Sequence, residues 1–282
     1  MRIPDCFQRL LRVVAVLALC GFATQAFAQV GISPAYYDLS QEDAAKTQTF
    51  RMFNYTGEAK HVRVSLAPWD ADENNQPRLL PSGPMTLDQW VVVNPVEFEV
   101  KAASSQAVRF TVRPAVELPP GEHRVMLIFD EVVAPMENAK MRTRFQFRSA
   151  VYVQVGKATR DGTIESVQAE PASARITIKN NGNANVRLSG QFGVWEAASY
   201  PGVKGTEIVQ GLGNKKPQLA KGQLVLDVLP GNPVLPGDTR AVTANFGETR
   251  LKPGRYVLDF NGKLGDAELD RSVEFVVAEP PR

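Results

Sequence analysis

Residues Lys140 to Val155 run KMRTRFQFRSAVYVQV. Extended chain alternates its side chains. Met141, Thr143, Phe145, Phe147, Ser149, Val151 and Val153 therefore fall on one face, and Arg142, Arg144, Gln146, Arg148, Ala150 and Tyr152 on the other. A helical repeat of about 3.6 residues would mix the phenylalanines with the arginines, so helix is excluded. Extended throughout, the stretch would reach about 50 Å, well past the usual strand of about five or six residues. Such a row either finishes the core of its own domain or is offered to another chain.

Working outward, the first 28 residues read as an address. Arg2, Arg9 and Arg12 make a basic start, and Val13 to Ala23 is an apolar run too short to span a bilayer. The small residues of AFA then precede Gln29 as a cleavage site. Leu19 is too bulky for a lipoprotein site at Cys20. The mature chain is expected to begin near Gln29 and to work in the periplasm. Both cysteines, Cys6 and Cys20, lie in the discarded segment, so the mature chain has no disulfide, thiolate metal site or cysteine nucleophile. No later apolar run approaches 18 residues, so no membrane anchor is expected. The net charge of +2 carries no sign of a nucleic-acid partner, and none is expected.

The mature sequence is a succession of short alternating runs separated by turn residues. Expected strands are Gly31 to Leu39, Thr47 to Asn54, Lys60 to Trp69, Trp90 to Val93, Glu97 to Val100, Gln106 to Arg113 and His123 to Val132, followed by the long strand. Prolines between Pro68 and Pro120 exclude long helices from this region. A boundary is expected near Gly156 to Gly162. Beyond it a second set runs over Ala174 to Lys179, Asn185 to Trp195, Gln223 to Val228, Thr239 to Phe246, Arg255 to Asn261 and Arg271 to Val277. Glu196 to Lys221, with little periodicity, reads as a long connection. The expectation is an all-β chain: a signal peptide over 1–28, one β-sandwich over 29–156 and another over 157–282, with a cleft between them.

No run of the sequence carries a recognisable catalytic constellation. His61 and His123 each sit in an alternating run without a partner motif. DADENNQP (Asp70 to Pro77) spaces its acids like the start of a calcium loop but lacks the central glycine and the closing acid, and so reads as a hairpin turn. GLGNKK (Gly211 to Lys216) lacks the spacing of a phosphate loop, and no serine has a nucleophile-elbow setting. No enzyme activity, cofactor or metal is expected. What remains is interaction surface, since sheet edges are templates for a foreign strand.

At this point the residues resemble a known family, the periplasmic chaperones of the chaperone–usher pathway that escort fimbrial subunits. The matching pieces are ISPAYYDLS, FRMFNYTGEAKHVRVSLAPW, VNPVEFEVKAASSQAVRFTVRP, ELPPGEHRVMLIFDEV and the long strand, in that order. The resemblance implies two immunoglobulin-like sandwiches in an L- or boomerang-shaped molecule. It further implies that the last strand of the first domain inserts into an incomplete pilin-like subunit, which is then delivered to an outer-membrane usher. It places Met141, Thr143, Phe145 and Phe147 on the donor face. Relatives grip the subunit's C-terminal carboxylate with an arginine and a lysine. Here those positions carry Tyr36 and Ala150, so Arg148, two residues earlier on the same face, and Tyr36 are the candidate anchor. Arg142 and Arg144 read as a solvated face that blunts an open edge. An uncovered donor strand also allows a self-dimer. The competing class is a structural or adhesive two-sandwich component of a surface appendage. A carbohydrate-binding module would want clustered aromatics, whereas Trp69, Trp90 and Trp195 are scattered among strands and read as core.

Overall fold

A computed structural model describes residues 29–133, 144–213 and 217–279. The first 28 residues and Met141, Arg142 and Thr143 lie outside the described residues. The first sandwich contains β1 (Val30–Ser33), β2 (Tyr37–Ser40), β3 (Gln48–Asn54), β4 (Lys60–Ala67), β5 (Trp69–Ala71), β6 (Pro77–Leu79), β7 (Val91–Asn94), β8 (Glu97–Val100), β9 (Ser104–Val112), β10 (Gly121–Glu131) and β11 (Gln146–Val155). One sheet runs β1-β3-β9-β7 and the other β2-β11-β10-β4-β8, while β5 and β6 form a separate hairpin. A four-residue helix α1 (Gln41–Ala44), capped by the Ser40 side chain, links β2 to β3. Between the sheets the rings of Phe50 and Phe110 stack at 5.4 Å, and Phe129 meets Phe50 edge-on at 5.8 Å.

Two expected strands prove to be broken by proline. Gly31 to Leu39 splits into β1 and β2, which belong to opposite sheets, with Pro34 at the crossing. Lys60 to Trp69 stops at Ala67, because Pro68 has no N–H for the ladder; the chain restarts as β5. The acid-rich turn after β5 is a hairpin turn, in which Asp72 accepts backbone N–H bonds from Asn74 and Gln76.

The second sandwich comprises β12 (Gly162–Glu170), β13 (Ser173–Asn180), β14 (Leu188–Glu196), β15 (Gln223–Val228), β16 (Thr239–Asn245), β17 (Gly254–Leu264) and β18 (Ala267–Val277), in sheets β12-β13-β16 and β15-β14-β17-β18. Its core joins Ile176, Ile178, Phe192, Val194, Leu258 and Phe260. Strand β12 is absent from the sequence reading for a physical reason. A bulge at Glu165 shifts the register between Ile164 and Ser166, so the inward residues Ile164, Val167 and Ala169 break strict alternation. Gly190 and Gly262 face each other across β14 and β17, where a Cβ on either would run into the partner strand's backbone.

Both sandwiches fasten a turn with a buried asparagine at the end of a strand. Asn54, closing β3, donates through Nδ2 to the carbonyls of Glu58, Val100 and Lys101 at 2.8, 3.0 and 3.1 Å and accepts from the Thr56 N–H. Asn180, closing β13, donates to the carbonyls of Ala184 and Val234, both at 2.8 Å, and accepts from the Gly182 N–H. Replacing either amide leaves several buried backbone groups without partners. Asn54→Ala and Asn180→Ala are each expected to destabilise their own sandwich by about 2–4 kcal/mol, read as a shift of one transition in urea melts. A loss below about 1 kcal/mol would mean that water replaces the amide.

Candidate functional site

Strand β11 is the long strand of the opening stretch, and its two faces do different work. Ser149, Val151, Val153 and Val155 are buried in the first core, opposite Leu127, Val125, His123 and Gly121 of β10. Nearer the start of the strand the same face loses cover. Phe147 lies across from the buried Phe129, Phe145 sits 5.4 Å from Phe147 ring to ring, and both are only partly buried at the rim of the core. Phe145 is pinned to the end of β10: its N–H donates to Glu131 Oε2 at 3.3 Å, its carbonyl accepts from the Glu131 N–H, and Glu131 pairs with Lys60 at 3.3 Å.

The edges of β11 are equally divided. On one side β10 pairs with it from Gln146 to Val155. On the other, β2 pairs in parallel only with Val151 to Gln154. Among the described residues, Gln146 to Ala150 has no strand on that second side, so half of β11 offers main-chain groups along an edge beside two half-covered phenylalanines.

The opposite face of β11 meets the second domain. Ala150 and Tyr152 join Trp69, Ala71, Met126 and Ile128 in an apolar cluster completed by Leu235 of the second sandwich. Beside it opens a cleft of about 190 Å³ lined by Tyr36, Trp69, Asn75, Arg148, Tyr152 and Arg187, among others. The two cations come from different domains. Arg148 donates through Nε to Gln146 at 2.7 Å, and Gln146 in turn donates to Asp130 at 2.6 Å. Arg187 is held by Asn185 at 3.0 Å and the Gly231 carbonyl at 2.7 Å, and its guanidinium lies over the Tyr36 ring at 4.1 Å and the Tyr152 ring at 5.2 Å.

Among the described residues the lining contains no aspartate or glutamate. It does contain two buried donors without an acceptor among those residues, Trp69 Nε1 and Asn75 Nδ2. Burial pushes the Tyr152 hydroxyl well above the usual phenol value, against the pull of Arg187, so it remains protonated as well. Among the described residues the lining thus sets two guanidiniums and two unpaired donors against no carboxylate.

Polar bridges hold the domains around this cleft. Glu122, almost fully buried, accepts from the backbone N–H and the Nδ2 of Asn185, both at 2.7 Å, and pairs with Arg124 at 3.2 Å. Asp38 pairs with Arg160 at 2.9 Å, and Arg240 reaches the Ala71 carbonyl.

The structure thus brings Tyr36 and Arg148 into one cleft, and Phe145 and Phe147 to the rim beside it. Met141 and Thr143, the other two donor-face residues, lie outside the described residues. Arg187 was missed, because nothing in NANVRL marks an arginine that reaches across a domain boundary. Trp69 is buried as expected, but between the domains rather than within one. Among the described residues no cluster of histidine and acidic side chains could hold a metal ion, and no helix is long and apolar enough to cross a membrane.

No family model and no curated protein matches this chain. Among solved structures, a chaperone–tip adhesin complex of CFA/I fimbriae is 14% identical at a TM-score of 0.45, covering 89% of this chain and 99% of that one. The class 5 fimbriae chaperone CfaA is 13% identical at 0.45, covering 89% and 100%. The CsuC–CsuE chaperone–tip adhesion subunit pre-assembly complex from the archaic Csu pili of Acinetobacter baumannii is 15% identical at 0.44, covering 89% and 100%. Likeness at this level of identity and superposition does not establish what the chain binds; that has to come from its own open strand and cleft.

The bridge at Glu122 can be tested alone. Glu122→Ala removes the acceptor of two Asn185 donors and the partner of Arg124, with charge-assisted bonds worth about 1.5–3 kcal/mol each. The two sandwiches are expected to stay folded while solution scattering broadens the distribution of interdomain distances. An unchanged scattering curve would show that the apolar cluster at Leu235 fixes the angle without it.

Proposed function

We propose that the chain is a periplasmic chaperone for pilin-like subunits, holding each by strand donation from β11 and passing it to an outer-membrane usher. The observation that carries this reading is the half-closed strand: from Gln146 to Ala150 one edge has no neighbour among the described residues, and on the same strand Phe145 and Phe147 are only half covered. A subunit lacking one strand supplies both missing surfaces, pairing with the open main chain and covering the rings. Completing the burial of a phenylalanine contributes up to about 1.5–3 kcal/mol, and main-chain pairing adds register. The sequence alternation assigns Met141 and Thr143, which lie outside the described residues, to the same donor face. Without a client, the same edge pairs with a second copy of the chain. No cofactor is needed, because binding is by complementation alone.

The cleft supplies a second hold. A subunit ending beside β11 brings a C-terminal carboxylate to the acid-free space between Arg148 and Arg187, with Tyr36 as a neutral donor. Arg187 makes good the lysine that Ala150 does not provide. This departs from the arrangement inferred by resemblance, because one cation belongs to the second sandwich.

Phe145→Arg is expected to abolish co-purification of a co-expressed pilin-like subunit while leaving the chaperone's own thermal transition largely in place. Collapse of the free mutant's fold would assign Phe145 to its own core and defeat strand donation.

Arg148→Ala and Arg187→Ala are each expected to weaken a subunit with a free C-terminus by roughly ten- to a hundredfold, and amidating that C-terminus should weaken the wild type by a similar factor. The losses should not add, since they remove one interaction. Indifference to amidation would leave strand pairing as the whole of the binding.

A further inference from the structure

The outer face of the β15-β14-β17-β18 sheet is unusual for a surface that should meet water. Gln191 and Trp195 of β14 and Asp259 and Asn261 of β17 point away from the core, yet all four are buried. The segment after β14, expected to be a plain connection, covers them. It contains two short 3-10 turns, Ala197–Ser199 and Val203–Gly205, and is tied down by polar bonds. Tyr200 donates to Asp259 at 2.6 Å, and Asn261 donates to Thr206 at 3.0 Å. Gln191 donates to the Glu207 carbonyl and accepts from the Val209 N–H, both at 2.8 Å.

Beneath this cover a pocket of about 270 Å³ remains, with Gly193 in its floor. A Cβ at Gly193 would come within 3.0 Å of Trp195 Nε1 and 3.2 Å of Gln223 Nε2, so any side chain there would displace both groups. Trp195 is only 6% exposed, and its buried N–H has no acceptor among the described residues. An unmet buried donor of this kind is costly and needs a reason. On the neighbouring strand, across from Gly193, Asp259 is 1% exposed. Burial holds its carboxyl above the usual carboxylate range, and the pocket lining supplies no lysine, arginine or histidine to offset that.

We infer that this pocket binds a small neutral polyhydroxyl compound, of the class of a single-ring sugar or polyol, with Trp195, Gln223 and Asp259 reading its hydroxyl groups. The chemistry selects the class. An anion meets Asp259 and Glu207, and the lining among the described residues holds no cation to offset them. An ammonium ion cannot accept the Trp195 N–H. A hydroxyl group does both, accepting from Trp195 and Gln223 and donating to Asp259. The volume lies just under the usual range for ligand pockets, which fits one ring rather than a chain of them. Subunit binding by β11 does not involve this site.

The three tryptophans, Trp69, Trp90 and Trp195, give three indole N–H signals in a ¹H–¹⁵N spectrum of the mature protein. Titration with D-glucose, D-galactose, D-mannose and glycerol, and separately with ethanolamine and acetate, is expected to move the Trp195 signal saturably with at least one neutral compound, leaving Trp69 and Trp90 in place. Trp195→Phe keeps an aromatic ring but removes the donor, and should weaken that compound about tenfold; Gly193→Ala should block it. The proposal is overturned if the wild-type Trp195 signal ignores every neutral compound. It is equally overturned if ethanolamine or acetate alone moves the signal, or if a folded Gly193→Ala protein binds as wild type does.

Discussion

Parallel pairing between Tyr37–Ser40 and Val151–Gln154 ends where the chain turns through Pro34 to the opposite sheet. The consequences of that short overlap organise the first domain. Had the first strand continued along β11, the sandwich would have closed and Phe147 and Phe145 would have sealed within it. Because it leaves at Ser33, the first half of β11 keeps a bare edge and a half-covered apolar rim, while its second half is locked on both edges and both faces. The strand is thus anchored firmly at one end and available at the other. The strand donation proposed above needs that division: the anchored half would resist being pulled out, and the free half would be set in register before a client arrives.

The same strand also builds the wall of the cleft. Since successive side chains alternate, burying Ser149, Val151 and Val153 in the core turns Arg148, Ala150 and Tyr152 toward the second sandwich. There Leu235 completes an apolar cluster, and Glu122 and Asp38 tie across to Asn185 and Arg160. The angle between the domains therefore decides how far Arg187 stands from Arg148. Interdomain packing and the proposed anion site share residues, so a change in one is a change in the other.

Much of this was legible in the residues. Alternation in RFQFRSAVYVQV assigned both faces of β11, and the turn composition separated two sandwiches. What escaped had physical causes. Pro34 sends the chain between sheets, which no local pattern announces. The bulge at Glu165 broke the alternation that would have revealed β12. Arg187 and Leu235 act on the first domain from far along the chain, and only packing brings them there. The segment from Glu196 to Lys221 lacked periodicity because its bonds run from side chains to backbone, as with Gln191 and Val209, rather than along a ladder.

The most direct test of the account is amide hydrogen exchange along β11, measured on the free chain and on its complex with a co-expressed pilin-like subunit. The account predicts fast exchange at the outward amides between Gln146 and Ala150 in the free protein and strong protection there in the complex, with Val151 to Gln154 slow in both states. Protection that appears elsewhere, while Gln146 to Ala150 exchanges as before, would contradict it.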